Sequence, residues 1–381
     1  MSTAEATVDA ARATLHELLS RGTGFDAEYG PSLSNHRPMA LTALHRLGAD
    51  ASRLRAFAAT YERRLHPMPP LETWPSGDAW AGRLGDPRAW PAYRHLFAQW
   101  LAHEGSDMLP QVLPRLLQGV GAAAFHGLLR TAYALDAGHA GELADALAYW
   151  ACRWLDLGPA GTPGTTVATP ATHATRATRA SRATRAAITA DPAAALKALD
   201  AARITPGAHD LIVHRMQAAA AARGFDAVVQ GLRIDATATL PCLARLAARL
   251  YARSGNFTAL HLVTSAHALR GVLARLEPED APAALAAYWR AYVAGVAAAG
   301  ARLDRAPASL PWDALVDAAL ASDDDHLVKL VDAAREEQRH HGGADDWQRA
   351  ATRAVLPEGA PTASRRGARH TPSNGRPLNA P

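Results

Sequence analysis

Lysine is nearly missing from this chain. Of its 40 basic residues only Lys197 and Lys329 are lysine, and the rest are arginine. Cysteine is as scarce. Cys152 and Cys242 stand far apart and form no CxxC pair, so neither a disulfide framework nor a zinc–thiolate site is indicated, and a cytoplasmic location fits. No stretch reaches the roughly 20 uninterrupted apolar residues a membrane helix needs; the alanine-rich 283–302 comes nearest and Arg290 interrupts it. The N-terminus has no basic segment followed by an apolar core, so no secretion signal is read there. Alternating strands, hairpin turns, HExxH, GxSxG and P-loop patterns are all missing, as is the fixed-period self-similarity of a repeat fold.

Charge of one sign is missing too, once its placement is considered. The formal charge is +4, but Arg176, Arg179, Arg182 and Arg185 lie in one low-complexity segment and Arg365, Arg366, Arg369 and Arg376 in the tail. Without those eight and Glu358, 32 basic residues face 35 acidic ones. The basic character belongs to appendages, and a body near neutrality is a poor partner for nucleic acid.

What is present is helical periodicity. The patterns predict helices over 4–20, 39–47, 51–64, 91–104, 108–118, 120–135, 139–155, 191–203, 207–222, 224–233, 239–253, 257–270, 279–302, 311–320 and 323–340. The reading is all-α: a single large multi-helix domain over 1–356, interrupted by a flexible Thr/Ala/Arg insert at 159–190 and followed by a disordered basic tail at 357–381. Gly119-Val120-Gly121-Ala122-Ala123-Ala124 matches GxGxxA. A helical rather than β-strand pattern precedes it, so close helix packing by small residues is the better account than dinucleotide binding. Trp74, Trp80 and Trp90 suggest a packed loop or a substrate wall.

Four histidines stand out by context. His36 precedes a helix opened by Pro38, and His126, His261 and His326 lie inside apolar helical runs. His126, Arg130 and Tyr133 form one polar stripe at i, i+4 and i+7. His326 and Lys329 share a helical face behind Asp323-Asp324-Asp325, an acidic start that suits the helix dipole. Lys329 sits between valine and leucine in a chain that writes nearly every cation as arginine. Either its stem covers apolar surface while its head reaches water, or the chemistry needs a primary amine that can lose its proton, which arginine cannot do.

The segments SNHRPMALTALHRLGA, AAAFHGLLRTAYAL, NFTALHLVTSAHALR and DDHLVKLV, in this order and spacing, resemble the questin oxidase-like family over most of residues 28–345. The resemblance implies a non-haem iron-dependent oxygenase that acts with O2 on a polycyclic aromatic, anthraquinone- or polyketide-like small molecule. The reaction would be ring cleavage or Baeyer–Villiger-type oxidation. It further implies Fe(II) held by His36, His126, His261 and His326, with Lys329 as an N-carboxylated ligand formed with CO2. Arg130 and Tyr133 would support the ligands or hydrogen-bond the substrate. His267, His139 and His45 are the rival ligands, His267 above all. NADPH is a further electron source described for relatives, although no binding motif for it is present. The competing expectations are a non-catalytic helical ligand-binding or interaction protein, and a metal-dependent hydrolase.

Overall fold

The computed structural model describes residues 3–74, 79–159, 188–205, 207–343 and 345–356. The chain forms α1 (Thr3–Gly22), a two-residue hairpin β1 (Glu28–Tyr29) and β2 (Leu33–Ser34), α2 (Arg37–Leu47), α3 (Ala51–Glu62), α4 (Trp90–Glu104), α5 (Leu109–Leu117), α6 (His126–Ala137) and α7 (Ala140–Cys152). Beyond the 160–187 segment follow α8 (Pro192–Leu196), α9 (Ala198–Ala202), α10 (Ile212–Ala220), α11 (Phe225–Gln230), α12 (Thr239–Ser254), α13 (Phe257–Leu273), α14 (Ala281–Ala299), α15 (Trp312–Ala321), α16 (Asp325–His341) and α17 (Asp346–Val355). The all-α expectation is met.

Local chemistry sets many of these boundaries. Asp50, Asp191, Asn256 and Asp324 each accept backbone N–H bonds at the start of α3, α8, α13 and α16, satisfying donors that a helix start leaves free. Gly48 closes α2 in the left-handed region at φ +104°. Leu15, Leu18 and Leu19 bury the inner face of α1, each stabilising the packed state by about 1.5–3 kcal/mol.

Several expectations need correction. A small antiparallel hairpin exists, with Glu28 opposite Ser34 and Tyr29 opposite Leu33. The helix expected at 120–135 begins only at His126, because Ala123, Ala124 and Phe125 all take positive φ (46°, 56° and 71°) and form a left-handed turn. The segment 191–203 breaks into α8 and α9 at Lys197. The helix α17 was not predicted. Most of the expected 159–190 insert and all of the 357–381 tail lie outside the described residues. Thr189, among the described residues at the insert's end, donates its N–H to the Gly231 carbonyl at 2.9 Å. The small-residue reading of the GxGxxA segment holds at Gly119, where an added Cβ would stand 2.4 Å from the Trp154 ring.

The helices α2, α6, α13 and α16 form a closed ring of packing partners: α2 lies on α6 and α16, and α13 lies on the same two. Among the described residues no helix is long and apolar enough to cross a membrane.

Candidate metal centre

The four singled-out histidines all sit at helix starts. His36 immediately precedes α2, His126 is the first residue of α6, His326 the second of α16, and His261 lies in the first turns of α13. The positive ends of the four ring-forming helices therefore meet at one place, which disfavours added positive charge there.

Segments distant in sequence bring the four rings into contact. His36 stacks on His126 with centroids 4.6 Å apart and planes within 9°. His126 meets His261 at 5.0 Å, His261 meets His326 at 5.7 Å, and His326 meets His36 at 4.7 Å. His36, His126 and His261 are buried, as are Lys329 and Asp325.

Each ring has its Nδ1 committed. His36 donates to Asp325 Oδ1 at 2.9 Å, and His326 reaches the same oxygen at 2.8 Å. His126 donates to the Ala123 carbonyl at 2.5 Å and His261 to the Phe257 carbonyl at 2.8 Å. Acceptors at all four Nδ1 atoms fix the tautomer with the proton on that side, which leaves the Nε2 lone pairs unused. The Nε2 atoms of His36 and His126 are 2.7 Å apart, and Nε2 of His326 is buried with no hydrogen-bond partner. Two lone pairs face each other and a third is orphaned, a donor set that a cation satisfies.

Electrostatics agree. Burial, with the nearby Lys329 charge, brings the His36 imidazole down to about 3 despite the Asp325 carboxylate. Burial likewise drives His126 and His261 well below the usual histidine range. The neutral imidazoles are the form that ligates metal. Burial pushes the Lys329 ammonium down to about 8, with Asp325 and Asp324 opposing. Asp325 is held well below the usual carboxylate range: burial raises it, but His36, His326 and Lys329 outweigh that.

Asp325 is the residue that sequence reading missed, hidden as the last of three aspartates credited to helix capping. Asp324 does the capping, accepting from the His326 and Leu327 amides. Ligating atoms of His36, Asp325 and His326 lie within 4.8 Å of one another, which raises the alternative of a cation beside that carboxylate. The Nδ1 atoms there already contact Asp325 at 2.9 and 2.8 Å, whereas the unsatisfied atoms are on the Nε2 side. Tyr61 is a second missed residue, its hydroxyl accepting the His36 backbone N–H at 3.0 Å.

The rival histidines are placed elsewhere. His139 caps α7, accepting from the Glu142 amide. His45 sits near the end of α2. His267 donates to Glu337 at 2.9 Å beside a pocket of about 450 Å³ between the C-terminal halves of α2, α6, α13 and α16, with Arg46, Asp136, Arg270 and Glu336 also on its walls. The partners of Arg130 are Glu142 at 2.5 and 2.9 Å and Asp145 at 3.6 Å. Tyr133 donates to Asp332 at 3.0 Å. Arg37, adjacent to His36, turns away to Glu62 at 2.6 Å. Trp74, Trp80 and Trp90 pack on Tyr93, Phe97 and Tyr149.

The structure is an all-α ring of helices in which four imidazoles converge beside a buried lysine, an arrangement able to hold a metal ion. The profile of the questin oxidase-like family matches residues 33–334, most of the chain. The chain belongs to the questin oxidase-like family, and so to a class of oxidoreductases acting on polyketide-type small molecules. No curated protein gives a significant match.

Proposed function

We propose that the protein is a non-haem iron-dependent oxygenase of a polycyclic aromatic substrate, with His36, His126, His261 and His326 holding Fe(II) through Nε2 and Lys329 supplying an N-carboxylated oxygen ligand. The observation that carries this reading is the 2.7 Å approach of the His36 and His126 Nε2 atoms while both Nδ1 atoms are bound elsewhere. Iron in this position would supply the binding and activation of O2 for ring cleavage or Baeyer–Villiger-type oxidation.

The chain's own residues perform the remaining tasks. Asp325 orients two imidazoles at once and enriches them in electron density through the shared hydrogen bonds. The carbonyls of Ala123 and Phe257 do the same for His126 and His261. Burial brings Lys329 to about 8, so a substantial fraction of its amine is neutral near physiological pH and able to add CO2. The N–C bond forms as one amine proton is released, leaving an anionic carbamate in place of an ammonium. The four helix starts favour that change of sign.

Metal analysis of anaerobically purified protein, beside Lys329→Ala, tests the reading. About one iron per chain, lost in the variant, supports the full site. Iron retained by the variant keeps the imidazole centre and removes the carbamate. Two equivalents of zinc would favour a hydrolase. No stoichiometric metal after reconstitution with iron and bicarbonate would overturn the oxygenase and leave a helical binding protein.

A further inference from the structure

The cluster is closed by helices around His36, His126, His261 and Lys329, all buried, but not beside Phe257. This phenylalanine is the first residue of α13 and stays 53% exposed. Its ring lies 4.8 Å from His261 at 76° and 4.8 Å from His326 at 58°, and His326 is itself partly exposed. A large apolar ring left in water forgoes burial that the fold could otherwise use. Here the ring touches two of the imidazoles while about half of the residue meets solvent.

The two halves of the residue are held differently. Asn256 accepts the Thr258 and Ala259 amides and donates to the Ala299 carbonyl at 3.0 Å, and the Phe257 carbonyl accepts from His261. The backbone is thus pinned. The exposed side chain can change rotamer without disturbing either the cap or the imidazole.

We propose that Phe257 is the door of this centre and its specificity-determining residue: a flat aromatic substrate reaches the imidazoles by stacking on, or displacing, the Phe257 ring between His261 and His326. This rests on the functional reading above for the identity of the substrate, but not for the existence of the door. Aromatic edge contacts of the kind the ring makes to His261 and His326 would be replaced by contacts to the incoming ring, so that bulk and flatness are selected at entry.

The test uses the full chain as wild type, Phe257→Ala, Phe257→Leu and Phe257→Trp. Each is loaded with Fe(II), and its removal by the planar chelator 1,10-phenanthroline is timed. Separately, carbethoxylation of His261 by diethyl pyrocarbonate is followed in metal-free protein by peptide mass spectrometry. The expected result is equal iron per chain, with removal and labelling faster by roughly tenfold in Phe257→Ala, the two ring contacts being lost. Phe257→Leu should be intermediate, guarding against a folding defect in the alanine variant, and Phe257→Trp slower than wild type. Labelling and chelation rates equal across the series would overturn the door. If the wild type binds no iron, the metal reading fails while faster His261 labelling in Phe257→Ala still upholds the door; unchanged labelling overturns it whatever the iron content.

Discussion

His36 donates from Nδ1 to Oδ1 of Asp325 at 2.9 Å, and His326 Nδ1 lies 2.8 Å from the same oxygen. A single carboxylate therefore sets the tautomer and tilt of two rings that stand at 81° to each other. An amide in place of this carboxylate would remove the charge that makes both bonds strong while keeping the shape. Asp325→Asn is expected to weaken Fe(II) or Co(II) binding by about 10–100-fold with the fold retained, as read by metal titration alongside circular dichroism. Unchanged affinity would place the metal-binding energy elsewhere.

Gly127 follows His126 on α6, where an added Cβ would stand 2.7 Å from Trp150 Cγ and 2.9 Å from its Cα. The Cα cannot move aside as a flexible side chain could. Gly127→Ala should cost about 1–3 kcal/mol by overpacking α6 against α7, measured by urea unfolding. It should also lower metal occupancy by shifting His126.

Arg130 is buried with Glu142 and Asp145, and Arg94 also binds Asp145. Arg130→Met would leave two buried carboxylates short of a cation, at a cost of roughly 3–5 kcal/mol. Iron per folded chain should be unchanged. A stable variant with a raised KM for substrate would instead put Arg130 at the substrate, one of the roles the family resemblance implies.

The acid limb of stability should report Glu337. Burial alone would raise its carboxyl, but the hydrogen bond and charge of His267, with Arg270, bring it down to about 2 from 4.5. A depressed carboxylate contributes stability that is present above its unfolded value and lost as pH falls through the folded one. The contribution, up to roughly 3 kcal/mol, should therefore disappear between about pH 4.5 and 2. In Glu337→Gln that portion of the slope should be missing from urea midpoints measured across the acid range.

Much of this was legible in the sequence. Apolar periodicity located the main helices because burial of one face imposes it, and the odd lysine was visible because arginine replaced its kind elsewhere. The left-handed turn at Ala123–Phe125 was not legible, since three ordinary residues held at positive φ by their surroundings leave no compositional mark. The stripe of His126, Arg130 and Tyr133 was located correctly on one helix. What faces it, Glu142 on α7 and Asp332 on α16, depends on packing across the chain. Asp325 was concealed by its neighbours, because a run of acids before a helix already has a sufficient local explanation.

The bond between His36 and Asp325 spans 289 positions of chain. During synthesis the first ligand is made long before the segment that orients it, and the last imidazole and the lysine emerge with that same segment. A chain made only as far as α7 lacks His261, His326 and Lys329. If the proposed site holds metal, loading would be confined to molecules whose α16 has been made and docked, and bound metal would report completed folding as well as capacity for chemistry.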